Sequence, residues 1–166
     1  MGAVLAKFNY HVERIRGREI EKPLPKRLHA IVQTRLIAAL ARLMADTQFE
    51  VLTELDVLIG GGDWVVPDAT VASSDAPYDN GKLAGPAELA VEIISPGQSI
   101  GQLFDKCELL HSAGTKHCWV LWPAKRTAWH YFAGGLPIIV EDTLAAGEIR
   151  VPVQPLFANL PDEPET

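Results

Sequence analysis

The stretch LAVEIISP at residues 89–96 decides the fold, because it combines a buried-strand pattern with one acid. Its apolar residues occupy both faces of an extended chain, which is typical of a strand in the middle of a sheet. Pro96 and Gly97 end the strand. Glu92 stands inside this run, and an ionised carboxylate there is costly unless a positive group meets it. The pattern predicts a central strand with Glu92 as a candidate functional residue.

A predicted hairpin precedes this strand. Residues 49–59 read as one strand and residues 64–72 as a second, joined by the three glycines at 60–62, which favour a tight reversal. Pro67 inside the second strand implies a sheet edge or a local break. Asp68 follows it in VVPD, residues 65–68. If the strands of Asp68 and Glu92 are neighbours, the two acids meet at one edge of the sheet.

Two helices flank these strands in the sequence. Apolar residues recur at three- and four-residue steps over residues 26–45, which predicts an amphipathic helix with a basic outer face. Ser99 is a suitable N-cap for a helix that runs to residue 112, with Gly114 ending it. Leu103, Lys106 and Leu110 then share one stripe of the second helix. We expect this stripe to face the sheet, so that Lys106 needs an acidic partner.

The remaining sequence predicts an edge ribbon and further strands. Residues 1–25 read as an irregular arm or edge ribbon, residues 73–86 as a long polar loop, and residues 116–122, 127–132, 136–140 and 149–153 as strands. A hairpin, a central strand and a helical crossover together predict an α+β fold, a mixed β-sheet flanked by helices. We expect one domain over residues 1–160 and a disordered acidic tail at 161–166.

Composition narrows the classes of function. The chain is 48% hydrophobic and 22% charged, with a formal net charge of −6, which argues against a dedicated nucleic-acid binder but not against an enzyme with a local basic patch. No apolar run is long enough to span a membrane, and the first residues lack a full signal sequence. Cys107 and Cys118 have no zinc or disulfide spacing and read as buried thiols. These features predict a cytoplasmic protein.

The three charged residues permit metal-assisted chemistry on a phosphate. Asp68, Glu92 and the backbone carbonyl of Ile93 offer the oxygen ligands that Mg²⁺ or Mn²⁺ takes. Lys106 could orient the attacking water or neutralise charge that develops on the phosphate. Each residue alone has a plainer interpretation: Asp68 as a turn residue, Glu92 as the partner of an arginine, and Lys106 as a surface residue. The combination is more specific than any single member.

At these residues the sequence resembles a known family. VVPD at 65–68, LAVEIISP at 89–96, Asp105-Lys106 and the strand at 117–123 are similar to the bacterial Uma family of restriction-endonuclease-like proteins, a branch of the PD-(D/E)XK nucleases. The resemblance runs from about residue 13 to residue 132. It implies a restriction-endonuclease-like fold and a Mg²⁺-dependent phosphodiesterase site.

The resemblance also implies roles for particular residues. Asp68 matches the aspartate of the PD half and Glu92 the acid of the (D/E)XK half. Ile94 stands where that motif has its lysine, and Lys106 on the following helix matches the place where the family carries one. Glu13 or Glu21 is a candidate for a further acid from the N-terminal segment.

Three functions remain open from the sequence. The leading hypothesis is an endonuclease that acts on DNA with Mg²⁺ or Mn²⁺, and apolar edge strands favour a homodimer with two symmetric sites. The alternative is a catalytically inactive binding or scaffold protein on the same fold, favoured by the net charge and by Ile94. The third is a hydrolase of a small phosphorylated ligand, over which the loop at 73–86 would close.

Overall fold

The computed structural model describes residues 11–163, so the predictions for residues 1–10 and 164–166 lie outside the described part. The helices are α1 Arg27–Met44, α2 Ile100–Ser112 and α3 Val153–Phe157. The strands of the first half are β1 Val12–Ile15, β2 Arg18–Glu21, β3 Phe49–Leu52, β4 Val57–Gly60, β5 Asp63–Val65, β6 Ala69–Ser73, β7 Tyr78–Asp79 and β8 Lys82–Leu83. Those of the second half are β9 Leu89–Ile93, β10 His117–Trp122, β11 Thr127–Phe132, β12 Leu136–Ile139, β13 Thr143–Ala146 and β14 Ile149–Pro152.

The main sheet is built around β9, in the order β12-β11-β10-β9-β6-β3. β9 runs parallel to β10 and antiparallel to β6. Helix α2 supplies the crossover between the two parallel strands, as a parallel connection requires. All five residues of β9 are buried. The predicted central strand and mixed α+β sheet are therefore confirmed.

The two long helices pack against opposite faces of this sheet. On α1, Val32, Leu36 and Leu40 are buried in one core cluster together with Val91 of β9. On α2, Leu103, Cys107 and Leu110 join a second cluster that contains Ala90 of the same strand. Alternate residues of β9 therefore face different helices, because side chains alternate across a strand. The central strand is sealed from water on both sides, which explains why all its residues except Glu92 are apolar.

A second six-stranded sheet, in the order β2-β1-β5-β4-β8-β7, holds the N-terminal hairpin beside the main sheet. The single strand predicted at residues 49–59 is wrong: β3 pairs in the main sheet, whereas β4 pairs in the second one. The strand predicted at residues 64–72 also divides, into β5 and β6, on either side of Pro67. Proline lacks the N–H that a continuous ladder needs, so the break foreseen from the sequence is confirmed.

The turn between β4 and β5 depends on its glycines. Gly60, Gly61 and Gly62 have φ of +94°, +64° and +80°, a region that other residues rarely adopt. The segment predicted as an open polar loop at residues 73–86 instead contains the small hairpin β7–β8, whose Leu83 is fully buried. The strands β13 and β14 and the short helix α3 complete the core against α1. Of these three elements, only β14 was predicted.

Both cysteines, Cys107 and Cys118, are free and buried thiols, as the sequence predicts. Among the helices of residues 11–163, none has the length and apolar character that crossing a membrane requires.

Candidate functional site

The two predicted acids lie side by side in the main sheet. β6 pairs with β9 in a register that sets Ala69 opposite Val91, and the Asp68 N–H donates to the Val91 carbonyl at 3.0 Å. Continuing this register by one residue sets Asp68 opposite Glu92. Both residues are almost completely buried, at 0% and 2% exposure. The chain thus breaks between β5 and β6 at Pro67, directly before the buried Asp68.

Helix α2 brings Lys106 to Glu92. Ser99 caps the helix: its hydroxyl accepts from the Gln102 N–H at 3.2 Å, and the Gln102 side chain accepts from the Ser99 N–H at 2.9 Å. This capping box fixes the start of the helix and so its inward face. Lys106 Nζ lies 2.8 Å from Glu92 Oε1, and the lysine is 5% exposed. The predicted partnership between the helix stripe and the central strand is present.

Glu13 of β1 is the further acid of this cluster. Its Oε1 lies 2.6 Å from Lys106 Nζ and accepts from the Val66 N–H at 2.9 Å. The second bond satisfies a backbone donor that the break at Pro67 leaves outside the main sheet. Glu21, the other candidate, is exposed on β2. The hairpin β1–β2 therefore contributes Glu13.

Asp68 has a separate set of partners. Its Oδ1 lies 2.7 Å from Lys22 Nζ and 3.2 Å from His29 Nε2, and its Oδ2 accepts from the Ile93 N–H at 2.6 Å. Lys22 follows β2, and His29 belongs to α1. Asp68 is thus fixed by three different parts of the chain.

Glu54 and Gln33 form the outer side of the cluster. Lys22 Nζ donates to Glu54 Oε2 at 2.9 Å and to the Val66 carbonyl at 2.7 Å. The Gln33 amide donates to Glu54 Oε1 at 2.9 Å and to the Asp68 carbonyl at 3.0 Å. Glu54 is more accessible than Glu13, Asp68 and Glu92, which are buried. Its side chain is 23% exposed. These contacts tie α1 to the segment between β3 and β4.

The surroundings of Asp68 favour its ionised form. Burial by itself raises the pKa of this carboxyl, but the hydrogen bond from His29 and the charge of Lys22 outweigh burial and hold the pKa well below its usual value. Burial likewise acts to lower the pKa of Lys22, and the charges of Asp68 and Glu92 reverse that effect and raise it. Asp68 and Lys22 are therefore a charged pair at neutral pH.

Glu92 behaves in the opposite way. Burial is the main cause that raises its pKa from 4.5 to about 8; Lys106 acts against this rise, and Asp68 adds to it. Burial acts to lower the pKa of Lys106, but Glu92 and Glu13 outweigh it, so the pKa of Lys106 is raised. The buried Glu13, Asp68 and Glu92 carboxylates outnumber the Lys22 and Lys106 ammonium groups, and Glu92 responds to this excess of negative charge by retaining a proton.

The sequence matches the Uma2 family, described as "Putative restriction endonuclease", over residues 5–156. The chain belongs to this family. A search of the curated proteins finds no match.

Two solved structures are similar to this Uma2 protein. One is described as "Crystal structure of a putative nuclease belonging to DUF820 from Anabaena variabilis ATCC 29413"; it is 23% identical, with a TM-score of 0.76, over 88% of this chain and 89% of that chain. This similarity shows that the fold is restriction-endonuclease-like. The other, described as "cryoEM structure DrdV-DNA complex", is 14% identical with a TM-score of 0.43, over 78% of this chain and 12% of that chain.

The donors of the cluster fit a hard divalent cation in type but already have cationic partners. Carboxylates and backbone carbonyls are the ligands that Mg²⁺ takes. Within residues 11–163, however, no group of three or more His, Cys, Asp or Glu side chains is arranged to hold a metal ion. Asp68 contacts Lys22, and Glu92 contacts Lys106. A metal at this cluster would therefore have to replace an ammonium group.

Two adjoining clefts open onto the cluster. The larger, of about 560 Å³, is lined by His29 and Trp122, and the smaller, of about 280 Å³, by Glu13, Lys22 and Lys106. Gly97 and Gln98, after β9, line both clefts. A ligand in the smaller cleft therefore meets Glu13 and the two lysines, whereas Asp68 and Glu92 do not line this cleft.

Sequence reasoning missed Lys22, Glu54 and Gln33 as members of the cluster. Lys22 follows the strand β2, whose four residues are all exposed, so no burial pattern marks it. His29 carried a usable signal, because it begins the buried stripe His29, Val32, Leu36 and Leu40 of α1. A histidine at the start of an otherwise apolar stripe needs a polar partner, and here that partner is Asp68.

Proposed function

We propose that this Uma2 protein is a metal-dependent endonuclease that hydrolyses phosphodiester bonds of DNA, with Asp68, Glu92 and Lys106 as catalytic residues. The observation that carries the proposal is that Asp68 and Glu92 are buried side by side on neighbouring strands, with Lys106 of the following helix 2.8 Å from Glu92. Their contacts bury charges at a cost that a core built for stability alone would avoid. The family and the restriction-endonuclease-like fold support the same reaction class.

Mg²⁺ or Mn²⁺, held by Asp68, Glu92 and the Ile93 carbonyl, would supply a polarised phosphoryl oxygen and a water of lowered pKa. The protein's own residues prepare the rest of the site. His29 and the Ile93 N–H hold both oxygens of Asp68 in place. Such fixed contacts reduce the reorganisation that the reaction requires.

Lys106 is the cation that neutralises charge developing on the phosphate in this proposal. Lys106 lines the smaller cleft, and its buried ammonium group is oriented by two carboxyl groups, Glu13 at 2.6 Å and Glu92 at 2.8 Å. A preoriented cation in a partly dry cleft stabilises a transition-state charge more strongly than one in water. Lys106 would thus supply the positive charge that the lysine of the (D/E)XK motif supplies, since Ile94 stands at the position of that lysine.

The proposal includes a cytoplasmic homodimer. Phe132, Leu136, Ile138 and Ile139 are exposed apolar residues at one edge of the main sheet, on β11 and the edge strand β12. A second copy of the chain would cover them, and two copies would present two sites to a duplex. The two free cysteines support a reducing compartment. Sedimentation equilibrium would test the dimer, and a monomer at all concentrations would contradict it.

The test of the nuclease is cleavage of supercoiled plasmid and of single-stranded DNA with Mg²⁺ or Mn²⁺. Asp68→Asn and Glu92→Gln keep the side-chain shape and remove the carboxylate that a metal would bind, so both are expected to abolish cleavage. Asp79→Ala, an exposed acid on β7, is the matched control and should cleave like the wild type. Activity that survives both site substitutions would show that this mechanism is wrong.

A non-catalytic binding protein is the second candidate. The saturation of Asp68 and Glu92 by lysines favours it, since a structural ion-pair network needs no substrate. The net charge of −6 points the same way. Absence of cleavage together with absence of Mg²⁺ or Mn²⁺ binding by calorimetry would support this candidate over the nuclease.

A further inference from the structure

The Lys22 ammonium group lies among three oxygens. Nζ is 2.7 Å from Asp68 Oδ1, 2.7 Å from the Val66 carbonyl and 2.9 Å from Glu54 Oε2. Two carboxylates and a backbone carbonyl are the donor types that hard divalent cations take. The position is therefore suited to a cation, and the protein fills it with its own lysine.

Lys22 also differs from Lys106 in how firmly its backbone is held. Lys106 belongs to a capped helix between the buried Leu103 and Leu110. Lys22 is buried and its N–H donates to the His11 carbonyl at 2.9 Å, but it follows β2, whose residues are all exposed, and it lines the cleft of about 280 Å³. Segments with few buried contacts move at a low cost in free energy, so Lys22 is the ammonium group that can leave.

From the smaller cleft, the way to Asp68 leads past Lys22. Asp68 is 0% exposed, whereas Lys22 lines the smaller cleft and contacts Oδ1 directly. His29 Nε2 lies on the same oxygen at 3.2 Å, and the Ile93 N–H occupies Oδ2. A cation that approaches Asp68 from this cleft therefore meets an oxygen already bound to an ammonium group.

We propose that Lys22 is an internal cation that competes with a divalent metal for the oxygens of Asp68, so that a metal reaches Asp68 only when the ammonium group moves into the cleft. An ammonium group and a divalent ion cannot share these oxygens, because their charges repel at such short distances. Without a metal, the Lys22 ammonium group contacts the Asp68 carboxylate. When a metal binds, it takes the place of this ammonium group. This inference rests on the proposed nuclease only for the choice of metal.

The first test is calorimetric titration of the full chain with Mn²⁺. Lys22→Met keeps the length of the side chain and removes its charge, so it is expected to bind Mn²⁺ at least tenfold more tightly than the wild type. Lys82→Met is the matched control: Lys82 pairs with Asp56 at 3.3 Å, away from the cluster, and its loss should leave the affinity unchanged. Asp68→Asn in the Lys22→Met background should abolish binding. An affinity of Lys22→Met that is within threefold of the wild type, or weaker, would overturn the proposal.

A second measurement uses the wild type and does not depend on the folding of any variant. Amine-selective acetylation with mass-spectrometric readout should label Lys22 several-fold faster when Mn²⁺ is added, while Lys106 stays protected. Equal labelling of Lys22 with and without Mn²⁺ would contradict the exchange. Both readouts are independent of DNA cleavage: a tighter-binding Lys22→Met without nuclease activity refutes the nuclease alone, and cleavage with unchanged metal affinity refutes the exchange alone.

Discussion

Replacing Glu92 by Gln should make the metal-free protein more tolerant of alkaline pH than the wild type. Glu92 is 2% exposed, and glutamine keeps its shape without a titratable proton. Lys106 retains Glu13 at 2.6 Å, so the substitution does not leave the lysine without a partner. The variant therefore isolates the titration of a single buried carboxyl.

The magnitude follows from the pKa of Glu92. Its folded-state pKa of about 8 lies above the 4.5 of an unperturbed glutamate, so the folded protein binds more protons than the unfolded chain between these values. Stability that depends on this proton is complete below pH 4.5 and is lost as the pH rises through 8. Each pKa unit corresponds to about 1.4 kcal/mol, which gives a total loss of about 5 kcal/mol in the wild type relative to the variant.

The assay is urea unfolding followed by tryptophan fluorescence, with EDTA present, at pH 5.5, 7 and 9. The unfolding free energy of the wild type minus that of Glu92→Gln should fall steadily over this series. Glu19→Gln, on the exposed strand β2, controls for the removal of a carboxyl group and should show no such trend. A pH-independent difference would refute the reasoning. Such a result would mean that Lys106 keeps Glu92 ionised in the folded protein, because the folded and unfolded states would then bind the same number of protons over this pH range.

Three further substitutions test the structure around the site by urea unfolding at pH 7. Lys106→Met leaves the buried Glu13 and Glu92 without the cation that they share and should cost about 3–5 kcal/mol. Ser99→Ala removes the hydroxyl that accepts from Gln102 and should cost about 1 kcal/mol. Leu36→Ala opens a cavity at a fully buried position of α1 and should cost about 2–5 kcal/mol. Leu43→Ala, at a position that is 42% exposed on the same helix, should cost much less than Leu36→Ala.

The local periodicity of the sequence was enough to predict the strand that holds Glu92 and the helix that holds Lys106. Each of these elements has its apolar residues at regular steps, and the acid or lysine that interrupts the pattern is the one that meets a partner. Glu92 interrupts a buried strand, and Lys106 interrupts a buried helical stripe. Regular patterns of this kind report the burial of a side chain directly.

The partners that come from irregular segments could not be predicted in the same way. Residues 49–59 are apolar enough for one strand, yet their two halves join different sheets, and only tertiary pairing decides which sheet each half joins. Lys22 and Glu54 lie in such segments, and their contact joins residues that are 32 positions apart in the sequence. Long-range polar contacts of this kind leave no periodic signal. Lys22, whose ammonium group contacts Asp68, was therefore not predicted as a member of the cluster.

The most direct measurement is the cleavage of supercoiled plasmid by the wild type, Asp68→Asn and Glu92→Gln at matched Mg²⁺ or Mn²⁺ concentrations. If the buried cluster is a nuclease site, the wild type nicks or linearises the plasmid in a metal-dependent way, and neither variant does so above background. Cleavage by both variants at the wild-type rate, or cleavage that persists in EDTA, would contradict the assignment of the site.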